Sequence, residues 1–352
     1  MGLNSSVSQN SGMMDQTEQL TLCFDRGSGL RAVIAIDDTT MGPGLGGVRW
    51  LSYPDEQTAQ DEARRLARMM TLKNACADLP YGGAKSVILR DARANRDTAY
   101  RKAQLHAFGR FVDRLGGAYL PGVDMGTSVE DLAEIGLVAH EVSCNHQDPS
   151  PWTALGVFAG ICSALSCGGF EVAGAHVVVQ GTGHVGAELA RLLAGADCHV
   201  SVADVDPIRA RTVAKEIGGH VVESHDAVTT QCDVLAPCAT ARVIDAGNVD
   251  TLRCHIVAGG ANDVLATHAV ASMLARRNIL YVPDFVINAG GVIHIHALRD
   301  AWDTEKLRGS LFAIGDRVRS ILNEAERSQR TPVTVAEEMA SHRLGRPITL
   351  PA

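Results

Sequence analysis

Residues His176 to Gln180, read HVVVQ, pass without a break into Gly181-Thr182-Gly183-His184-Val185-Gly186 and then into an amphipathic stretch reaching Leu193. No other part of the chain confines its architecture so narrowly. A β-branched run of this length reads as a buried strand, and glycines spaced G-x-G-x-x-G demand a tight strand-to-helix turn. Gly181 makes the turn, Gly183 lets a pyrophosphate come against the backbone, and Gly186 lets helix and strand pack closely. Thr182, His184 and Val185 fill the rest of a loop whose free N–H groups and helix-terminal positive charge suit a phosphate. The next strand, His199–Ala203, ends in Asp204, about twenty residues beyond the glycines, as a dinucleotide site requires. A carboxylate there is placed to accept hydrogen bonds from the adenosine ribose hydroxyls and to repel a 2′-phosphate. That favours NAD over NADP, a preference softened by Arg209 and Arg211 further along. The glycine pattern alone is a weak signal; strand, turn, helix and acid in this order make it specific.

Apolar runs at 220–222, 234–236, 256–258 and 280–282 alternate with helical stretches at 207–217 and 265–276. Together with the first two strands they describe a doubly wound parallel sheet, a Rossmann domain. The 352 residues leave room for a second domain before it. There, runs at 20–24 and 30–36 flank a turn cluster and read as a hairpin, and residues 42–47 read as a glycine-rich loop. Ala59, Ala63, Leu66, Ala67 and Met70 mark one helix; Leu105, Phe108, Val112 and Leu115 mark another. The expected division is a disordered tail at 1–18, an α/β substrate and oligomerisation domain at 19–148, and an NAD domain at 149–299. A helical stripe of Leu307, Leu311, Ile314, Val318 and Ile321, within about 300–330, packs back across the first domain. Residues 331–352 form a tail with little predictable structure.

The stretch from Met69 to Ile88 carries the chemistry. Lys73 and Lys85 lie on either side of a turn containing Pro80 and Gly82-Gly83, so Lys85 sits where a glycine turn feeds a strand. Crowded in one dry pocket, two lysines divide the work: one stays cationic and holds a carboxylate, the other gives up its proton and acts as a base. The alternative is a pair of solvated surface lysines. A short strand at 118–120 runs on through Pro121-Gly122-Val123 to Asp124, just before the capping box at Ser128, a position from which a carboxylate can face a cleft.

The runs GPGLGG (42–47), MTLKNACADLPYGGAKSVI (70–88), DMGTS (124–128), PSPWTALGVF (149–158), VVVQGTGHVG (177–186), APCA (236–239), AGGAND (258–263) and YVPDFVINAGGVI (281–293) follow one another in a recognisable order. In this the chain resembles the glutamate/leucine/phenylalanine/valine dehydrogenase superfamily, and within it the short branch acting on apolar amino acids. The resemblance implies NAD-dependent, reversible oxidative deamination of a branched-chain or aromatic L-amino acid to its 2-oxo acid. It implies that Lys73 holds the substrate carboxylate with the backbone of Gly46 and Gly47. Lys85 is then the base that activates water, and Asp124 shuttles protons with it. Thr153, Cys238, Ala239 and Asn262 fall at cofactor-facing positions, Asn288 at a substrate position, and Leu45, Gly122, Val292 and Ile295 around the substrate side chain. Gly122 leaves room, so aliphatic and aromatic substrates both stay open. Relatives are homo-oligomers.

Three departures stand out: Ala84 where a third glycine is usual, a short segment at 145–150, and Thr240-Ala241-Arg242 after APCA. They keep two rivals in play, a dehydrogenase for a modified biosynthetic amino acid and a non-catalytic NAD-binding regulator. A hydroxy-acid dehydrogenase would need a catalytic histidine beside an acid and a carboxylate-binding arginine. His294 and His296 read as a packed pair with no metal, Cys238 as a small hydrophobe, and Cys144, His146 and Asp148 as part of a linking loop. A net charge of −8 argues against a nucleic-acid partner. No apolar run approaches membrane-spanning length, and nine scattered cysteines without a C-x-x-C pair suit a reducing cytoplasm.

Overall fold

A computed structural model describes residues 17–95, 97–143 and 148–350. All but the end of the expected N-terminal tail, and residues 144–147 of the linking loop, lie outside the described residues. The first sheet contains β1 (Gln19–Asp25), β2 (Leu30–Asp38), β3 (Gly44–Leu51), β4 (Gly82–Leu89) and β5 (Tyr119–Val123), in the order β1-β2-β4-β3-β5. β1 and β2 form the expected hairpin, β2 runs antiparallel to β4, and β3 lies parallel between β4 and β5. Strand alternation splits β2: Val33 and Ala35 meet α1 (Glu56–Cys76) through Ala59, Ala63 and Ala67. Ile34 and Ile36 share the other core with Leu105 and Phe108 of α2 (Thr98–Asp113) and Leu132 of α3 (Val129–Gly136).

Two glycine clusters do something other than turn. Residues 44–47, expected as loop, are strand β3, and Gly82 and Gly83 open β4 rather than preceding it. A Cβ on Gly46 would lie 1.6 Å from the Ala84 carbonyl oxygen, and one on Gly83 would lie 2.2 Å from the Thr71 nitrogen of α1. Glycine lets strand and helix backbones approach here. The turn itself falls earlier, where Asp78 takes a positive φ of 62°.

The second sheet is wholly parallel, built from β6 (His176–Gln180), β7 (His199–Ala203), β8 (His220–Val221), β9 (Cys232–Pro237), β10 (Cys254–Val257) and β11 (Leu280–Tyr281). Its order, β11-β10-β9-β6-β7-β8, places the first strand centrally and reverses direction between β6 and β9, which opens a crevice at their carboxyl ends. α4 (Ser150–Cys167), α5 (His184–Gly195), α6 (Pro207–Ile217) and α7 (His268–Arg276) supply the crossovers and covers.

α4 has 18 residues and, by length and composition, could cross a membrane, contrary to the expectation that no run is long enough. Its apolarity is explained by what covers it. After α8 (Asp284–Ile287) and α9 (Gly290–Arg299), the helix α10 (Thr304–Ser328) lies along it. Gly156 and Gly160 of α4 meet Ile314 and Val318 of α10, while Gly315 of α10 meets the Ala159 carbonyl. The stripe from Leu307 to Ile321 therefore packs chiefly on the second half, not across the first as expected. Toward the first half it shares a core with Leu72, Ala75 and Cys76 of α1, and Arg317 donates to the Ala77 carbonyl at 3.2 Å. The return to α1 is made by α11 (Pro332–Leu344), a capped helix in the stretch expected to lack structure.

Candidate active site

The first half of β3, the middle of β4 and the carboxyl end of β5 face the second half across one cavity of about 260 Å³. Lys73, Lys85, Asp124, Leu45, Gly46, Gly47, Gly122, Asn288, Val292 and Ile295 all line it, and so do Thr153, Val185 and Asn262 from the cofactor group. The remaining expected cofactor residues lie off the cavity, along the glycine turn. Arg49, Leu66, Met69, Met70 and Ser143 line the cavity too and were missed. Arg49 had a signal: once 44–51 is a strand, period-two alternation puts residue 49 on the face of Leu45 and Gly47.

Lys85 Nζ lies 2.7 Å from Asp124 Oδ2, and the Arg49 Nε–H donates to the same oxygen at 3.0 Å. Burial by itself would push the Asp124 carboxyl up; the charges of Lys85 and Arg49 and their hydrogen bonds reverse this and hold it below the ordinary range. Burial pushes the Lys85 amine down, with Asp124 opposing and Arg49 reinforcing the shift. Lys73 Nζ donates to Asn262 Oδ1 at 2.9 Å, tying α1 to the second half. Burial, with the nearby Lys85 charge, brings Lys73 down to about 8 despite the opposing Asp284 and Asp124. Neither lysine is a solvated surface residue: Lys73 is 8% and Lys85 7% exposed. Ala84, fully buried, turns its methyl toward Gly44 and the α2-side core, so it does not crowd the cavity.

An alternating series of charges continues from the base. Lys85, Asp124, Arg49 and Glu62 belong to the first half, as does Arg65, whose guanidinium lies 3.8 Å from Glu62. Arg65 then bonds Asp263 of the second half, and Arg242, at φ 55°, closes the series 3.2 Å from Asp263. The unusual residue of the 240–242 loop is thus a fixed ion-pair partner.

The side-chain end of the cavity differs from expectation in one respect. A Cβ on Gly122 would lie 2.7 Å from Ser143 Oγ, so a hydroxyl occupies part of the room that glycine leaves. That hydroxyl donates to the Pro121 carbonyl at 2.9 Å.

Whether the second half suits a dinucleotide is tested by its turn. Gly181 has φ 97°, and its Cβ would strike Ala239; a Cβ on Gly186 would lie 1.9 Å from the Gly181 oxygen, whereas one on Gly183 would meet nothing within 4 Å. Gly183 opens α5 with no side-chain cap, so its first N–H groups are available for phosphate. At the cavity, Asn288 is buried and donates to Asn262 Oδ1 at 2.9 Å, but its own Oδ1 has no partner. An open cradle and an orphaned buried acceptor fit NAD.

Asp204 is placed at the strand end but is committed elsewhere. Oδ2 accepts from the Thr182 N–H and hydroxyl at 2.7 and 2.9 Å; Oδ1 accepts from Asp206 N at 2.8 Å and pairs with Arg209 at 3.0 Å. Its carboxylate clamps the glycine turn instead of standing free for a ribose. Cys238 lies beneath Gly260, its thiol pushed by burial to about 11. His184 pairs with Asp148 at 3.0 Å, His294 stacks on Trp152, and His296 packs against Tyr81.

Residues 16–140 match the family model for the Glu/Leu/Phe/Val dehydrogenase dimerisation domain, and residues 208–347 match that for Glutamate/Leucine/Phenylalanine/Valine dehydrogenase. Residues 157–257 also match the NAD binding domain of D-isomer specific 2-hydroxyacid dehydrogenases. The chain is 36% identical over 335 residues to a leucine dehydrogenase of Thermoactinomyces intermedius, covering 93% of this chain and 90% of that protein. To an L-tryptophan dehydrogenase of Nostoc punctiforme it is 37% identical over 333 residues, 93% of each. The crystal structure of L-tryptophan dehydrogenase from Nostoc punctiforme superimposes with a TM-score of 0.80 at 36% identity, covering 94% of this chain and 96% of that one.

Proposed function

The chain belongs to the Glu/Leu/Phe/Val dehydrogenase family, and on that footing we infer that it is an NAD-dependent dehydrogenase of apolar L-amino acids. It interconverts the amino acid with the 2-oxo acid and ammonia. The observation carrying this reading is the single cavity that brings Lys73, Lys85 and Asp124 together with Thr153 and Asn262 at the mouth of the dinucleotide fold. A 2-hydroxyacid chemistry, suggested by the overlapping family match, would call for a histidine as base; none is among the described lining residues.

NAD, when bound, supplies the hydride acceptor; Gly181 to Gly186 would hold its phosphates, and Thr153, Asn262 and Asn288 its nicotinamide end. Lys73 grips the substrate carboxylate, and a negative group beside it keeps its ammonium charged. Leu45, Met70, Val292 and Ile295 enclose the side chain and exclude water. Lys85, held by Asp124, takes the proton from the water that replaces the amine and returns one to the departing nitrogen. Among the described residues, Leu45, Gly122, Ser143, Val292 and Ile295 at that end carry no charge complementary to an acidic side chain, which favours an apolar substrate. Self-association belongs to the same reading: edge strand β1 exposes Leu22 and Phe24 at 60% and 59%, within the region matching the dimerisation domain.

The test is a panel of leucine, valine, phenylalanine and tryptophan with NAD at alkaline pH, and the 2-oxo acids with ammonia and NADH in reverse. NADH formation with at least one member is expected. Silence in both directions, with NAD binding intact, refutes the reading.

A further inference from the structure

Proton exchange at Lys85 raises an electrostatic difficulty that its partner alone cannot solve. Asp124 is buried, and a base must be uncharged for part of every cycle. Were Lys85 the only cation beside Asp124, each deprotonation would strand a carboxylate in a dry pocket, at a cost large enough to hold the proton on the amine. The structure supplies a second cation. Arg49, next but one to Gly47 on β3, sends its Nε–H to the very oxygen that Lys85 engages, at 3.0 Å against 2.7 Å.

Arg49 is fixed from behind. Its Nη1 bonds Glu62 of α1, and its side chain is 12% exposed. A guanidinium does not deprotonate in proteins, so this partner keeps its charge through the whole pH range in which the enzyme works. Its planar fork allows one edge to hold Asp124 while the other holds Glu62.

We propose that Arg49 is the permanent counter-ion of Asp124, a positioning residue that keeps the carboxylate paired while Lys85 is neutral and so lets Lys85 serve as the base. The proposal rests on the assignment of Lys85 as the base. It makes the pair Lys85–Asp124 into a triad in which one acceptor is shared by a transient cation and a fixed one. The charged groups facing the amine are Asp124 after β5, Arg49 on β3, and Glu62 and Lys73 on α1; Tyr53 and Tyr119 face the Asp124–Arg49 pair. Of these, Arg49 and Lys73 favour the neutral amine, and Asp124 and Glu62 favour the charged one.

The signs yield a test with two opposite arms, read from the pH dependence of kcat/KM for oxidative deamination of the best panel substrate. In Arg49→Gln the cation is gone and Asp124 turns wholly to Lys85, so the rising limb moves to higher pH by about one unit or more, roughly tenfold slower on that limb. In Glu62→Gln the group that divides Arg49's attention is gone, so the limb moves to lower pH. Arg49→Lys, which keeps the charge, restores the limb toward its original position. Folding and NAD binding are checked by circular dichroism and by NADH fluorescence. A limb that stays in place in Arg49→Gln, or that moves the same way in both variants, overturns the proposal; if Arg49→Gln does not fold, Arg49→Lys and Glu62→Gln carry the comparison. Lys85→Ala separates this from failure of the underlying assignment. Turnover surviving that change removes Lys85 as base, whereas turnover lost there with the Arg49→Gln limb unmoved removes only Arg49.

Discussion

Adding one methyl group at Gly122 separates the shape of the pocket from its chemistry. Gly122 lies within β5 and is not among the positive-φ residues, so alanine suits its backbone. The new Cβ would meet a single atom within 4 Å, Ser143 Oγ at 2.7 Å, which is too close. The hydroxyl must rotate away and give up its bond to the Pro121 carbonyl. That carbonyl stays satisfied by the Ser143 N–H at 2.7 Å, so the loss is one hydrogen bond, about 1 kcal/mol. Ser143→Ala removes the same bond and the obstruction together. The double variant should therefore be about 1 kcal/mol more stable than the sum of the single changes predicts. Urea unfolding of the four proteins measures this coupling. For function, one methyl in an apolar pocket discriminates by about 1–3 kcal/mol, or roughly 10–200-fold. Gly122→Ala should lower kcat/KM for the bulkier of two active substrates by at least tenfold relative to the smaller. An unchanged ratio would show that the substrate side chain does not point at β5, and strictly additive stabilities would show that the two residues do not touch.

Two further outcomes follow from the charges. Lys73→Met should raise the KM for the amino acid by tenfold or more while NADH binding persists; an unaltered KM would assign carboxylate binding elsewhere. The same variant tests a linkage. Lys73 sits near 8 in the folded chain and 10.5 in the ordinary range, so the unfolded chain binds more protons between those values. Wild type should therefore gain stability relative to Lys73→Met as pH rises from about 8 to 10, seen in parallel thermal melts, and equal slopes would refute the shift. Asp204→Ala should weaken NADH binding about tenfold by freeing Thr182 and the glycine turn (two to three lost hydrogen bonds at about 1 kcal/mol each, partly replaced by water). Undiminished affinity would mean that the clamp is dispensable.

What could be read from the sequence depended on whether a residue's reason was local. The strand, turn and helix from His176 to Leu193 follow from patterns spanning a few residues; the strand has its expected bounds, and the helix begins within the glycine motif at His184 and runs two residues further, to Gly195. The glycines of 44–47 and 82–83 misled because glycine serves two ends, turning and close approach. Only the partner backbones, the Ala84 carbonyl and the Thr71 nitrogen, reveal the second. Arg49 was hidden by that error, since its face is defined only once β3 is a strand. For α10 the stripe gave the buried face but could not name its partner. The helix α11 did carry its signals, Thr331 as cap, Pro332 in the first turn and Gly345 at φ 65° beyond the end. Asp204 directly follows the second strand, and its carboxylate is engaged by Thr182, Asp206 and Arg209, which sequence spacing does not show.

The alternating file of ions from Lys85 to Arg242 restricts how this molecule can diverge. Each member answers the sign of the one before it, and the last steps cross from one lobe to the other at Arg65 and Asp263. A lone reversal within it would leave like charges abutting on both sides, and exchanging two neighbours as a couple would preserve the total yet leave a like-charged contact on each flank of the pair. Drift at the seam between lobes is thereby bound to drift around the reactive amine. A sequence that changes Arg65 or Asp263 alters the charges reaching Asp124 and Lys85 unless the intervening residues change in step.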